Sequence, residues 1–263
     1  MKKKCYFFSD IYESFMRWPL WVYLAQTDIK LRYRRSALGP WWITMSMSIF
    51  VGALGIVYSR LLKQDPGVYL PFLATGYLIW IFITTCITES SDVFIQAQGL
   101  IKQIKVPYLI HILRCMTRNL MILFHNLLVY VAIALYFKLQ VSWLPVLAIP
   151  GLILILLNMF WVCLLVSMLG TRYRDIPPVI ASLVTVFFFI SPITWMPKMI
   201  GEASILIQYN PVTYLLDVVR SPLLGQWPLQ LSWIILLCTF ILGTAMSLAM
   251  YKKYKNRIPF WVG

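Results

Sequence analysis

Apolar residues gather along this chain into six long runs, at roughly 41–59, 69–88, 117–137, 144–169, 177–197 and 231–250. Each approaches the ~20 apolar residues that an α-helix needs to cross the hydrocarbon of a bilayer. The pattern therefore predicts an all-α integral membrane protein with six transmembrane helices, organised as a single transmembrane domain. Residues 1–40 would form an interfacial segment, 41–197 the first five spans, 198–230 an outer hairpin, and 231–263 the sixth span and a tail.

The segments between the runs are patterned too. From Leu20 to Ser36, with Pro19 at the start, the chain reads as a helix with Leu20, Tyr23, Leu24, Thr27 and Leu31 on one side and basic residues in its last turns. Basic charge suits the negative end of the helix dipole, and a basic amphipathic helix beside a membrane lies flat in the interface. After the second run comes SSDVFIQAQGLIKQIKVP. Ser91 reads as a cap, and Val93, Ala97, Leu100 and Ile104 make one apolar stripe over about fourteen residues before Pro107. Such a helix either lies on lipid or presents itself to a soluble partner.

The fifth run opens on a tight charge cluster, Arg172, Arg174 and Asp175, followed by Pro177 and Pro178. Proline is at home in a first helical turn, and Asp175 would face the positive end of the dipole. Beyond it lie two apolar pieces too short to span, Glu202–Gln208 and Pro211–Val219. Asn210 would cap the second, and Pro222 and Gly225 would stop it. The expectation is a broken, re-entrant hairpin, tolerated only where protein or a water-filled cavity covers the backbone.

Composition narrows the class. With 60% hydrophobic and 12% charged residues, the chain lacks polar sequence for a separate soluble domain. Its net charge of +14 is distributed by side: 18 Lys and Arg fall on the N-terminal side of the membrane against 5 on the other, these being Arg60, Lys63, Lys138, Lys198 and Arg220. That asymmetry is the positive-inside signal rather than a nucleic-acid footprint, and it puts both termini in the cytoplasm. The basic start, with an apolar run of only Cys5 to Phe8, is not a secretory signal. Five isolated cysteines and two histidines, His111 and His125, offer no metal or redox spacing, so neither a metal site nor a catalytic residue is expected. No glycine precedes a lysine, so the loop that cradles nucleotide phosphates is missing.

Few polar residues interrupt the spans. His125, Asn126 and Asn158 read as interhelical hydrogen-bonders or as a polar lining. Trp41, Tyr58, Phe72, Tyr77 and Trp80 are interface anchors or core, or else flat faces lining a passage, where they would stack on the C–H faces of sugars.

Two motifs together resemble the membrane subunit of type-2 ABC exporters, in the branch that moves lipid-linked O-antigen, capsule or teichoic acid chains. DIKLRYRRSALGPWW, Asp28 to Trp42, is similar to that family's passage from interface helix to first span. RYRD, Arg172 to Asp175, with SPITW, Ser191 to Trp195, and YNP, Tyr209 to Pro211, is similar to its fifth span and outer hairpin. The resemblance implies a homodimer in the bacterial inner membrane, surrounded by lipid. Two copies of an ATPase subunit would supply ATP and Mg chemistry that this chain lacks. It implies an ATPase-coupling or gate role for Val93, Ala97, Leu100 and Ile104, and an outer gate including Asn210, Pro211, Leu215 and Leu216. Arg32, Arg34 and Arg35 would sit near the diphosphate of the lipid-linked polysaccharide, since arginine forks match phosphate oxygens, though anchoring explains the same charges. Competing expectations are an exporter of a drug or small lipid, or a membrane-embedded glycosyl- or acyltransferase, for which the chain offers no acid–base set.

The charge asymmetry generates the first test. In a cysteine-free background, cysteines placed at Gln64, Gln140 and Gly201 should react with an impermeant thiol reagent from outside the inner membrane, and one at Gln103 should not. Labelling of Gln103 from outside reverses the assignment.

Overall fold

The computed structural model describes residues 3–104, 106–139, 142–199 and 204–262. Expectations falling on Lys2, Lys105, Gln140, Gly201 and Glu202 lie outside the described residues. Among the described residues the fold is helical throughout. Two helices precede the first span, α1 (Lys3–Met16) and α2 (Trp18–Arg32). The spans are α3 (Trp41–Leu61), α4 (Pro66–Ser90), α7 (Leu109–Tyr136), α8 (Ala148–Arg172, extended backwards by a 3-10 turn from Leu144) and α12 (Gln230–Tyr254). Between α4 and α7 lie two short pieces, α5 (Val93–Gln96) and α6 (Gln98–Gln103). Between α8 and α12 lie α9 (Ile176–Ile190), α10 (Ile205–Gln208) and α11 (Pro211–Leu223), and a final helix, α13 (Ile258–Val262), follows a 3-10 turn after α12.

Among the described residues five helices are long and apolar enough to cross a membrane, and they match five of the six expected runs. The fifth expected run does not carry a helix to Pro197. It stops after 15 residues at Ile190, about 22 Å of rise against ~30 Å of hydrocarbon. Ser191 is extended, and Ser191, Pro192, Ile193 and Thr194 turn into the protein and are buried. At the other end the reading holds: prolines occupy the first turn and Asp175 stands at the N-cap, though without a side-chain capping bond.

α4 is the centre of the bundle. Tyr69, Leu73, Leu78, Ile79, Phe82 and Cys86 are almost fully buried along it, and it is packed by α3, α7, α8, α9 and α11. α8 and α12 form the other tight pair. Asn158 donates to the Leu154 and Leu236 carbonyls at 3.0 Å each and accepts from Trp161 and Thr239, so this residue ties spans together. Where α8 crosses α11 the backbones touch: a Cβ on Gly151 would collide with the Val218 carbonyl.

Three helices, α3, α7 and α11, end alike. Lys63, Lys138 and Gly225 take left-handed φ of 51°, 49° and 73°. The next amide, of Gln64, Leu139 or Gln226, donates back five residues, to Ser59, Ala134 or Ser221.

Gly151→Ala forces α8 and α11 apart, an overpacking cost of about 1–3 kcal/mol. The expected outcome is a lowered unfolding midpoint for the purified protein in detergent; an unchanged midpoint would mean the two helices are not held this close.

Candidate functional site

Two regions gather the chemistry, one at each end of the bundle. At the end where α2 and the short helices lie, five charged side chains from three helices form one network. Arg114 and Arg118, one turn apart on α7, present their guanidinium groups to the same side. Arg114 Nε donates to Asp28 Oδ2 at 2.8 Å, with a second bond from its terminal nitrogen to Oδ1. Arg118 donates to Asp28 Oδ2 at 2.8 Å and to Glu89 Oε2 at 2.7 Å. Glu89, at the end of α4, also accepts from Asn119 at 2.8 Å and from Arg32 at 3.0 Å. Burial alone would raise the Asp28 carboxyl, but the bonds and charge of Arg114 and Arg118 outweigh it and hold it below its ordinary range. The network fastens α2, which spans nothing, to two spans.

This changes the reading of α2. Its buried residues are Ala25 and Ile29, flanking Asp28, whereas Tyr23 and Leu31 of the expected apolar side are exposed. The helix ends at Arg32, short of Ser36, and α1 before it was not anticipated. Of the three arginines expected near a phosphate, Arg32 is paired with Glu89, while Arg34 and Arg35 are exposed in the turn after α2.

The expected single amphipathic helix is two pieces broken at Ala97. Ser91 does not cap it: Ser91 closes the end of α4, and its hydroxyl bonds back to the Thr88 carbonyl. Phe94, not the stripe, is the anchor, fully buried with its ring edge-on to Tyr108 and His111. Val93, Ala97 and Leu100 are half-buried, and Ile104 is 51% exposed. A polar cavity of about 160 Å³ separates these pieces from the charge network; Asp28, Gln96, His111, Arg114 and Arg118 line it. Among the described residues, neither ring nitrogen of His111, nor Arg118 Nε, has a hydrogen-bond partner.

At the opposite end, Asn210 caps α11 as expected, accepting from the Val212 amide at 2.9 Å with Pro211 in the first turn. Its Nδ2 also donates to Ser191 Oγ at 2.9 Å. α11 runs to Leu223, through Pro222 rather than stopping at it. Leu215 and Leu216 are packed inside their own subunit, together with every residue from Val212 to Arg220. Arg220, expected on the outer surface, is 6% exposed. It donates to the Pro192 carbonyl at 2.6 Å and lies 4.4 Å from the centre of the Phe72 ring. Asp217 accepts from Ser221, from the Leu229 amide at 2.9 Å and from Ser232 at 2.6 Å, fixing α11 to the start of α12. Tyr69 Oη donates to the Thr194 carbonyl at 2.6 Å. α10 is exposed, with Ile205, Leu206 and the following Tyr209 outward. Patterning reveals the cap but not this polar frame, because Asp217 and Arg220 lie in an apolar run with no spacing that marks them as anchors.

The five aromatics do not form one lining. Trp41 is exposed at the opposite end of α3 from Tyr58, which is half-buried, and Phe72 lies under Arg220. Tyr77 and Trp80 share a neighbour: Tyr77 stacks on Phe50 at 4.1 Å, and both approach Phe188 of α9.

Asp28→Asn removes one charge from between two arginines. The expected cost is about 2–3 kcal/mol, low for a broken buried pair because the site is partly open. A cysteine at Ala25 in α2, buried in the intact protein, should then label. With Asp28 present, that labelling should stay low at neutral pH. It should rise only as pH falls through the depressed Asp28 value, below the ordinary ~4, because the bond needs the carboxylate.

Comparison with known proteins places these regions. The family described as ABC-2 type transporter matches residues 19–224, from α2 through α11. The chain is 27% identical over 245 residues, 90% of its length and 93% of the relative's, to the O-antigen export system permease protein RfbA of Klebsiella pneumoniae. It is 22% identical over 207 residues, 77% of its length and 79% of the relative's, to the protein of the same name from Myxococcus xanthus. An all-helical bundle of apolar spans and a family match across most of its length lead to one conclusion: the chain belongs to the ABC-2 type transporter family, as a membrane permease subunit.

Proposed function

We propose that this chain is the channel-forming subunit of an exporter that carries a lipid-linked polysaccharide, of O-antigen or capsule type, across the bacterial inner membrane. The observation that carries the reading is its likeness, across nearly the whole of both chains, to a permease named for O-antigen export. Two copies line the passage, and two copies of a separate ATPase subunit, binding ATP and Mg, drive it.

Several features support the details. Asp10 of α1 accepts from Tyr251 Oη at 2.5 Å and lies 3.9 Å from Lys255 Nζ, both at the far end of α12. Five crossings would leave these groups on opposite sides of the membrane. A sixth crossing by α9 and the SPITW turn brings them to one side, with both termini in the cytoplasm. With Arg220 buried, only four basic residues remain to oppose the 18, which strengthens that orientation. α9 is short and almost wholly apolar on its surface, with Val179, Leu183, Val186 and Phe189 exposed. A second copy would cover a helix that lipid alone fits poorly.

On this reading α5 and α6 receive the ATPase stroke through Val93, Ala97, Leu100 and Ile104. The network around Asp28 holds α2 beside the passage, with Arg34 and Arg35 available to a lipid diphosphate. At the exit, α11 with Pro211, Leu215 and Leu216 is the fixed post, and α10 is the flap that pivots at Asn210. Of the five aromatics Tyr77, half-buried beside α9, is the one that would meet sugar, and Trp80 is packed in the core behind it.

Two measurements test this. Purified alone, the subunit should hydrolyse no ATP; co-expressed with its ATPase, it should form a two-plus-two complex that does. Leu100→Glu places a carboxylate on the docking face without touching a span. It should abolish surface polysaccharide, and leave lipid-linked polymer inside, while the protein inserts normally. Normal surface polysaccharide with that variant would refute the docking role.

A further inference from the structure

The sequence after α12, KNRIPFWVG, looks like a charged tail leaving the membrane. The structure folds it back. After a 3-10 turn over Lys255–Arg257, α13 places Ile258 and Val262, one turn apart, against the protein, with exposures of 0% and 1%. Residues that deeply buried in a terminal five-residue helix are held by what they touch, because a single turn has no stability of its own. α13 packs on α5, on α6 and on the end of α8.

A second contact fastens the same place. Arg172, the first residue of the RYRD motif and the last of α8, lies 5.6 Å from the centre of the Trp261 ring and 6.0 Å from that of Tyr254. Those two rings are 5.7 Å apart, and Arg257 and Lys253 also lie over Tyr254. Two residues before Arg172, α8 touches the head of the short helices: a Cβ on Gly170 would collide with the Ser91 carbonyl. The end of α8 therefore meets both the start of the α5–α6 segment and the helix that closes over it. α5 has four residues and α6 six, so neither keeps its shape without such support.

We propose that α13 is a positioning element for the ATPase-coupling pair: Ile258, Val262 and Trp261 clamp α5 and α6 to the Arg172 end of α8, so that a push on the pair moves α8 instead of bending the pair. This rests on the reading of α5 and α6 as the coupling segment. Without the clamp the ATPase still docks and turns over, and its stroke is spent on local movement of two short helices.

The test uses the full chain assembled with its ATPase. Ile258→Asp puts charge into the buried contact, Trp261→Ala removes the ring from Arg172, and Ile258→Leu is the conservative control. Three quantities are read: ATP hydrolysis by the purified complex, polysaccharide at the cell surface, and thiol labelling of Ala97→Cys in a cysteine-free background. Ile258→Asp and Trp261→Ala should leave complex yield and ATP hydrolysis near wild type and lower export about tenfold, the scale of a broken coupling contact. Labelling at position 97 should rise, and Ile258→Leu should match wild type in all three readouts. Export at the wild-type level in both variants overturns the proposal. So does loss of the complex in both, which would make α13 a folding element only. Leu100→Glu in the same assay separates the two readings. If it abolishes export while the α13 variants do not, the clamp alone is wrong; if it too exports normally, the coupling segment itself is misplaced.

Discussion

Lipid offers no hydrogen bonds, and that constraint decides where this chain can abandon helical geometry. Among the described residues it does so at one end of the bundle, from Ser191 to Thr194, where side chains answer the breaks. Arg220 takes the Pro192 carbonyl, Tyr69 takes that of Thr194, and Asn210 serves both Ser191 and the first free amide of α11. Asp217 does the same for the Leu229 amide where α12 begins. The polar residues of this region are the means by which a helix of 13 residues can sit inside a membrane protein without spanning it.

The end that holds α2 obeys the same rule with full charges. Asp28 and Glu89 are each shared between arginines, so neither of these two carboxylates stands alone. The effect is to join α2 to the bundle while leaving the short helices above it held mainly by apolar contacts, Phe94 on one side and Ile258 with Val262 on the other. A helix fastened by charge and a pair fastened by apolar packing thus lie side by side.

Much of this was legible in the residues. Runs of apolar sequence mark the long spans, because length and hydropathy are what a bilayer selects. The Asn210–Pro211 cap was equally legible, since it is a local device spelled by two neighbours. What escaped reading was set by tertiary partners. α9 stops early because Ser191 and Pro192 find Asn210 and Arg220, which lie 19 or more residues further on. The buried face of α2 follows Asp28 to its arginines 86 and 90 positions away, overriding a stripe drawn from hydrophobicity alone. The segment after α4 breaks at Ala97 because Phe94 is drawn into the core. The charge count treated Arg220 as surface, since nothing beside it in the chain announces Phe72 or Pro192.

That buried arginine also constrains the order in which the protein is made. Phe72 and Pro192, which accept its charge, are synthesised before it, so a pocket can await it as it emerges. Asp217, one turn earlier on the same helix, depends on Leu229 and Ser232, which are synthesised after it. The α11 hairpin therefore cannot settle when it first leaves the insertion machinery. It must be kept from lipid until the start of α12 has followed it, so α12 completes a site whose other half was assembled with α4.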